Sequence, residues 1–144
     1  QKKVFDMIRR WHECLDKLAQ EKQVFKIETT GETWMGATNC ATSQPHSHAR
    51  IMADFALVAV EAAGRIWVDP DQPALGFLQV RVGFHSGPVL ANVIGSSQQN
   101  LRYALFGDTV NAAVRLCQDT NNKAGLVHCT RQASELLKLQ ADDA

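Results

Sequence analysis

Along the first twenty residues the apolar positions Val4, Ile8, Trp11, Leu15 and Leu18 recur at steps of four and three. That period marks one face of a helix and predicts an amphipathic helix over about 3–21. The pattern then changes. Val24 to Thr29 alternates and is β-rich, Gly31-Glu32 makes a tight turn, and Thr33 to Thr38 returns, which predicts a hairpin. Residues 42–47 read as a loop. Ile51, Phe55, Val58 and Ala62 mark a second helix over 48–63, with Gly64 placed for a left-handed cap. The stretch 65–76 carries Pro70, Pro73 and Gly76 and reads as a surface loop. Leu78, Val80, Val82 and Phe84 alternate with Gln79, Arg81, Gly83 and His85, the clearest strand pattern in the chain. Gly87-Pro88 ends it. Val89 to Ile94 reads as a short strand or helical turn, Ser96 to Asn100 as a polar loop, and Tyr103 to Phe106 as a strand. A turn at Gly107, a helix over 109–118, a strand over Leu126 to Cys129 and a helix over 130–139 complete the chain. This order, α-β-β-α-β-(β)-β-α-β-α, predicts an α+β fold with helices over a mostly antiparallel sheet.

The 144 residues suit one domain, and 45% hydrophobic content provides a real core. Fifteen basic and fifteen acidic residues cancel, which argues against a nucleic-acid surface or a polybasic membrane patch. No apolar run approaches the roughly 18–20 residues of a membrane span, and no signal peptide is visible. Cys14, Cys40, Cys117 and Cys129 have no C-x-x-C spacing, so zinc and a disulfide framework are not expected and reduced thiols in the cytosol are. A start at Gln rather than Met points to a piece of a longer protein.

Two segments carry candidate chemistry. In Arg102 to Arg115 a strand ends, a glycine turns the chain, and a helix begins with Asp108 or Thr109 as the expected cap. Asn111 and Arg115 are four apart and share a helix face. An amide and a guanidinium together suit a phosphate whose charge shifts during reaction. The same spacing also fits an Asn near a helix start and an Arg pairing with Asp119. In Val24 to Met35, Glu32 at the turn suits a divalent cation, which takes oxygen ligands, and Glu28 suits a ligand with two adjacent donors. An edge-strand Glu28 pairing with Lys26, and an ordinary turn acid, fit equally. His46 and His48 in H-x-H spacing and His85 at a strand end read as structural. Trp11, Trp34 and Met35 read as core or dimer-interface residues.

Taken together, VFKIETTGETWMG, VRVGFHSGPVLANVIG and RYALFGDTVNAAVRL, in this order, closely resemble the catalytic domain of the class III nucleotidyl cyclases, and the guanylyl cyclases in particular. The resemblance runs from about Val4 to Cys129. It implies a ferredoxin-like βαββαβ core, present here as a single partial domain over 1–144 and truncated at both ends. It also implies head-to-tail dimers, homo- or hetero-, with sites at the interface. GTP is the implied substrate, and Mg²⁺ or Mn²⁺, two per site, the implied cofactor. The implied reaction is attack of the ribose 3′-hydroxyl on the α-phosphate with release of pyrophosphate. By motif match Asn111 orients the ribose, Arg115 stabilises α-phosphate charge, Glu28 reads guanine, and Glu32 stands at a metal position. The domain is expected in the cytoplasm, without nucleic acid or direct membrane contact, in a soluble or membrane-anchored parent.

Departures from the pattern leave a second reading open, a degenerate cyclase-homology domain acting as a regulatory or structural dimer partner. Glu32 replaces the family's Asp and is one methylene longer. Ala104 stands where guanylyl cyclases usually carry a base-contacting Cys. Asp6 sits on the first helix and is rejected as the other metal ligand. The family's triphosphate-binding Lys belongs to a late hairpin that these residues do not match.

Overall fold

The apolar stripe at the start of the chain forms helix α1, Lys2–Lys22. The computed structural model describes residues 1–27, 31–95, 102–119 and 121–142. Helix α1 buries Leu15 and Ala19 and stops at Gln23, whose left-handed backbone is at φ 63°. Strands β1 (Phe25–Ile27) and β2 (Met35–Ala37) pair antiparallel, with Phe25 opposite Ala37 and Ile27 opposite Met35. Gly31, between them, sits at φ 70°, where a β-carbon is disfavoured. Helix α2 (His48–Ala63) packs on α1. Leu15, Ala19, Val24, Phe55 and Ala59 form the buried centre, flanked by Trp11, Leu18, Trp34, Ile51 and Met52. The Trp34 and Phe55 rings lie 5.4 Å apart. Each large apolar side chain buried here contributes about 1.5–3 kcal/mol.

Three expectations about local structure change. Gly64 is right-handed, φ −67°, because α2 tightens at its end: the N–H groups of Gly64, Arg65 and Ile66 bond the carbonyls three residues back. The 65–76 stretch is a folded excursion rather than a plain surface loop. Val68 N–H bonds Gly76 O at 3.0 Å, Trp67 stacks on Phe77 at 4.2 Å, and the buried Asp69 accepts from Lys3 Nζ at 2.9 Å. The long alternating run 78–84 yields only β3, Val82–Phe84. Upstream of it the backbone finds separate partners: Leu78 N–H bonds Ile66 O and Gly125 N–H bonds Val80 O, each at 2.9 Å.

The remaining elements follow the predicted order. Strands β4 (Leu90–Ile94) and β5 (Arg102–Phe106) pair antiparallel, then come helix α3 (Asp108–Gln118), strand β6 (Val127–Cys129) and helix α4 (Arg131–Asp142). The predicted loop over Ser96 to Asn100 lies outside the described residues. Strand β6 pairs parallel with β3, so among the described residues two of three strand pairings are antiparallel. Helices and strands thus form the expected α+β arrangement.

Candidate functional site

Helix α3 is set in place by contacts at both ends. Its N-cap position is Gly107, not Asp108 or Thr109, and no side chain caps it. Thr109 instead donates its hydroxyl to Pro88 O at 2.7 Å, tying the helix start to the turn after β3. At the other end Asn122, buried, donates Nδ2 to Leu116 O, Cys117 O and Val82 O at 3.2–3.4 Å. A β-carbon on Gly83 would lie 3.0 Å from Cys117 N, so β3 and α3 are in backbone-close contact.

This mounting leaves one face of α3 open. Asn111 and Arg115 are both exposed on it, one turn apart. Arg115 makes no ion pair among the described residues, and Asp119, its expected surface partner, instead accepts the Asn121 N–H at 2.8 Å. The ordinary surface-pair reading of Arg115 therefore has no support here. Ala104 lies in β5 opposite Asn92 of β4, and β5 runs straight through Gly107 into α3. Strand β1 contacts β5, so the β1–β2 hairpin adjoins the strand that carries Ala104.

Glu32 is exposed at the β1–β2 turn; its main-chain oxygen lies 3.2 Å from His12 Nε2. Glu28 lies outside the described residues. Lys26, which had been a candidate partner for Glu28, pairs with Asp16 at 3.1 Å. Trp34 Nε1 also donates to Asp16, at 2.9 Å. Burial opposes ionisation of Asp16, but the hydrogen bonds from Trp34 and Lys26 outweigh it and hold its pKa below the ordinary carboxylate value. Asp6 pairs with Arg9 at 2.6 Å and with Arg10 at 3.1 Å. Among the described residues no three His, Cys, Asp or Glu side chains converge on a metal position. Glu32 is thus a single carboxylate, which fits Mg²⁺ only where substrate phosphates complete the shell.

Two of the histidines singled out in the sequence have protein partners. His48 opens α2, its Nδ1 near Gln44 O at 3.2 Å and Gln140 Nε2 at 3.3 Å. His85 Nδ1 meets Thr130 Oγ1 at 2.6 Å. Thr130, which holds His85, carried no local signal because its partner lies 45 residues away, whereas Asn122 bonds α3 carbonyls five and six residues back and reaches Val82 across 40 residues.

Comparison with known proteins agrees with the motifs. The adenylate and guanylate cyclase catalytic domain family matches residues 1–143. The chain belongs to this family. It is 35% identical over 136 residues to the rat guanylate cyclase soluble subunit beta-2, covering 94% of this chain and 19% of that protein. The guanylate cyclase domain of RhGC from Catenaria anguillulae, solved in complex with GTP, superposes with a TM-score of 0.79 at 29% identity, over 96% of this chain and 71% of that one. The non-canonical dimeric guanylyl cyclase domain of the RhoGC fusion protein from Blastocladiella emersonii gives 0.80 at 28% identity, over 96% and 72%. The cyclase resemblance and the α+β cyclase fold both stand. Since the chain spans about a fifth of the rat subunit, what it shares with that protein is a cyclase catalytic domain and not the whole.

Proposed function

We propose that this domain takes part in converting GTP to 3′,5′-cyclic GMP and pyrophosphate, at a site completed by a second cyclase domain. The observation that carries this reading is the pair Asn111 and Arg115, both exposed one turn apart on one open helix face, with no ion pair to Arg115 among the described residues. Arg115 would bind an α-phosphate oxygen and oppose the charge that develops there; its fixed fork suits phosphate. Asn111, one turn earlier, would hold the ribose so that the 3′-oxygen lies in line with the bond to the departing pyrophosphate. The bond from 3′-oxygen to α-phosphorus forms, the bridge to the β-phosphate breaks, and the 3′-hydroxyl proton passes to solvent. Glu28 would accept guanine N1–H and the 2-amino group together, a pair adenine does not offer. Glu32 would supply one oxygen ligand to Mg²⁺ or Mn²⁺, which when bound neutralises the triphosphate. The GTP complex of the Catenaria domain and the dimer of the Blastocladiella domain support this reading.

Base choice provides the test. With Ala104 unable to hydrogen-bond the base, the parent protein is expected to prefer GTP over ATP, but only moderately. Ala104→Cys should sharpen the preference and Glu28→Lys should erode it. Mn²⁺ should support turnover better than Mg²⁺, and Glu32→Asp should raise the Mg²⁺ rate. GTP and ATP bound equally, with neither substitution altering the ratio, would remove the base-reading role. Ala104 and the longer Glu32 also favour the second reading, a cyclase-homology partner without turnover. GTP binding without cyclic product, even in Glu32→Asp with either metal, would select it.

A further inference from the structure

We propose that Thr109 and Gly87 form a clamp that positions helix α3, and with it Asn111 and Arg115, for the nucleotide. The inference deepens the cyclase reading and rests on it. Thr109 is the second residue of α3, a helix that starts at Gly107 without a side-chain cap. Its hydroxyl turns away from the helix and donates to Pro88 O at 2.7 Å. Threonine is an indifferent helix former, so the outward bond explains the residue better than the helix does.

The turn that receives this bond is itself fixed. Strand β3 ends at buried Phe84, paired with Cys129. His85 Nδ1 then lies 2.6 Å from Thr130 Oγ1, and that oxygen accepts Ala133 N–H at 3.2 Å at the start of α4. Beyond the turn, Leu90 pairs with Phe106 at the base of the β4–β5 ladder. The Thr109–Pro88 bond carries that ladder past Gly107 onto the helix. Gly87 completes the clamp by being small. A β-carbon there would lie 2.5 Å from Thr109 Oγ1 and 3.4 Å from its Cγ2. The first distance is well inside the roughly 3.5 Å at which non-bonded atoms pack, so a larger residue would push the turn and α3 apart.

A hold at Thr109 controls the opposite side of the helix. An α-helix turns about 100° per residue, which puts Asn111 about 200° round from Thr109. Thr109 is half-buried against the turn, while Asn111 and Arg115 are exposed on the open face. Fixing the inner side therefore sets the rotation and height of the outer one. A roll or slide of α3 by a fraction of an ångström would take the guanidinium off the charge developing at the α-phosphate, which weakens the transition state more than the bound substrate. Buried Asn122 anchors the other end of α3 within the core. The Thr109 bond lies at the surface, so its loss should displace the site more than it destabilises the fold.

The parent protein carrying Thr109→Val, Thr109→Ser or Gly87→Ala tests the clamp. Thr109→Val keeps the branched shape and drops the donor. It should lower kcat for cyclic GMP formation at least about tenfold, with KM for GTP within about threefold and the melting temperature nearly unchanged. Thr109→Ser keeps the donor and should recover most of the rate. Gly87→Ala should lose rate as Thr109→Val does, and adding Thr109→Ala to it should bring little further loss, because removing Oγ1 makes room for the new β-carbon. Should Gly87→Ala fail to fold, the two Thr109 variants decide. A Thr109→Val variant as fast as wild type overturns the clamp and leaves the cyclase reading intact. So does one whose melting temperature falls with its rate while Thr109→Ser restores neither. Where the parent makes no cyclic product, hydrogen exchange over 108–114 gives the answer. Faster exchange in Thr109→Val, restored in Thr109→Ser, keeps the clamp and rejects turnover; unchanged exchange rejects the clamp as well.

Discussion

The two ends of this domain treat their apolar and polar groups in opposite ways. Where α1, β1, β2 and α2 meet, apolar side chains close on one another and polar ones find partners: Phe55 packs against Trp34, and Trp34 and Lys26 share Asp16, while Phe5 of α1 and Leu57 of α2 stay exposed. Around β4, β5 and the face of α3, large apolar residues stand open beside Asn111 and Arg115. The centre of the first region is closed within the chain. The second keeps large apolar and polar side chains open to solvent, and it is the region in which three of the candidate site residues lie. Groups that folding does not satisfy are the ones that carry the functional argument.

Removing a packed side chain should separate the regions most sharply. Phe55→Ala is expected to cost about 3–5 kcal/mol of stability, as large aromatic truncations in cores do, read from denaturant midpoints. A loss under about 1 kcal/mol would mean that the α1–α2 core is not the chief source of stability.

On the open side the expectation reverses. Arg115→Ala should leave the melting temperature nearly unchanged, since Arg115 has no ion pair among the described residues, while turnover of the parent protein falls at least about a hundredfold. A variant that melts earlier yet keeps its rate would move Arg115 into the structural class and erase the contrast.

The smallest effect concerns pH. The folded pKa of Asp16 is depressed, so its ionised form stabilises the fold above the unfolded value of about 3.9, and that contribution disappears as pH falls through the lower folded value. Wild type should therefore be more stable than Asp16→Asn at pH 7, and the gap should close below about pH 4. A gap that persists undiminished down to pH 3 would show that the charge on Asp16 does not hold Trp34 and Lys26.

Much of this was legible in the order of residues, because the relevant physics is local. A period of four and three generates α1 whatever surrounds it, and Gly31 and Gly107 mark turns by their own backbone freedom. The spacing of Asn111 and Arg115 places them together as soon as α3 is a helix. The alternation of 78–84 misled for a related reason: period two reports which side chains are apolar, not which strand will pair, and only Val82–Phe84 found a ladder partner. Partners distant in the chain were decided by topology alone. Ser47 makes no side-chain cap for α2; Gln140, buried and 91 residues from Ala49, accepts that residue's N–H at 2.8 Å and Arg50's at 3.1 Å. Asp69 became a buried ion-pair partner because α1 brought Lys3 to it from 66 residues away. Sequence thus determined most of the elements and the pairing of Asn111 with Arg115 on one helix face, since both depend on neighbours within a turn or two. Tertiary structure decided which helix ends were capped, which strands paired and which apolar faces stayed open, because each of these needs a partner that only the folded chain brings within a few ångströms.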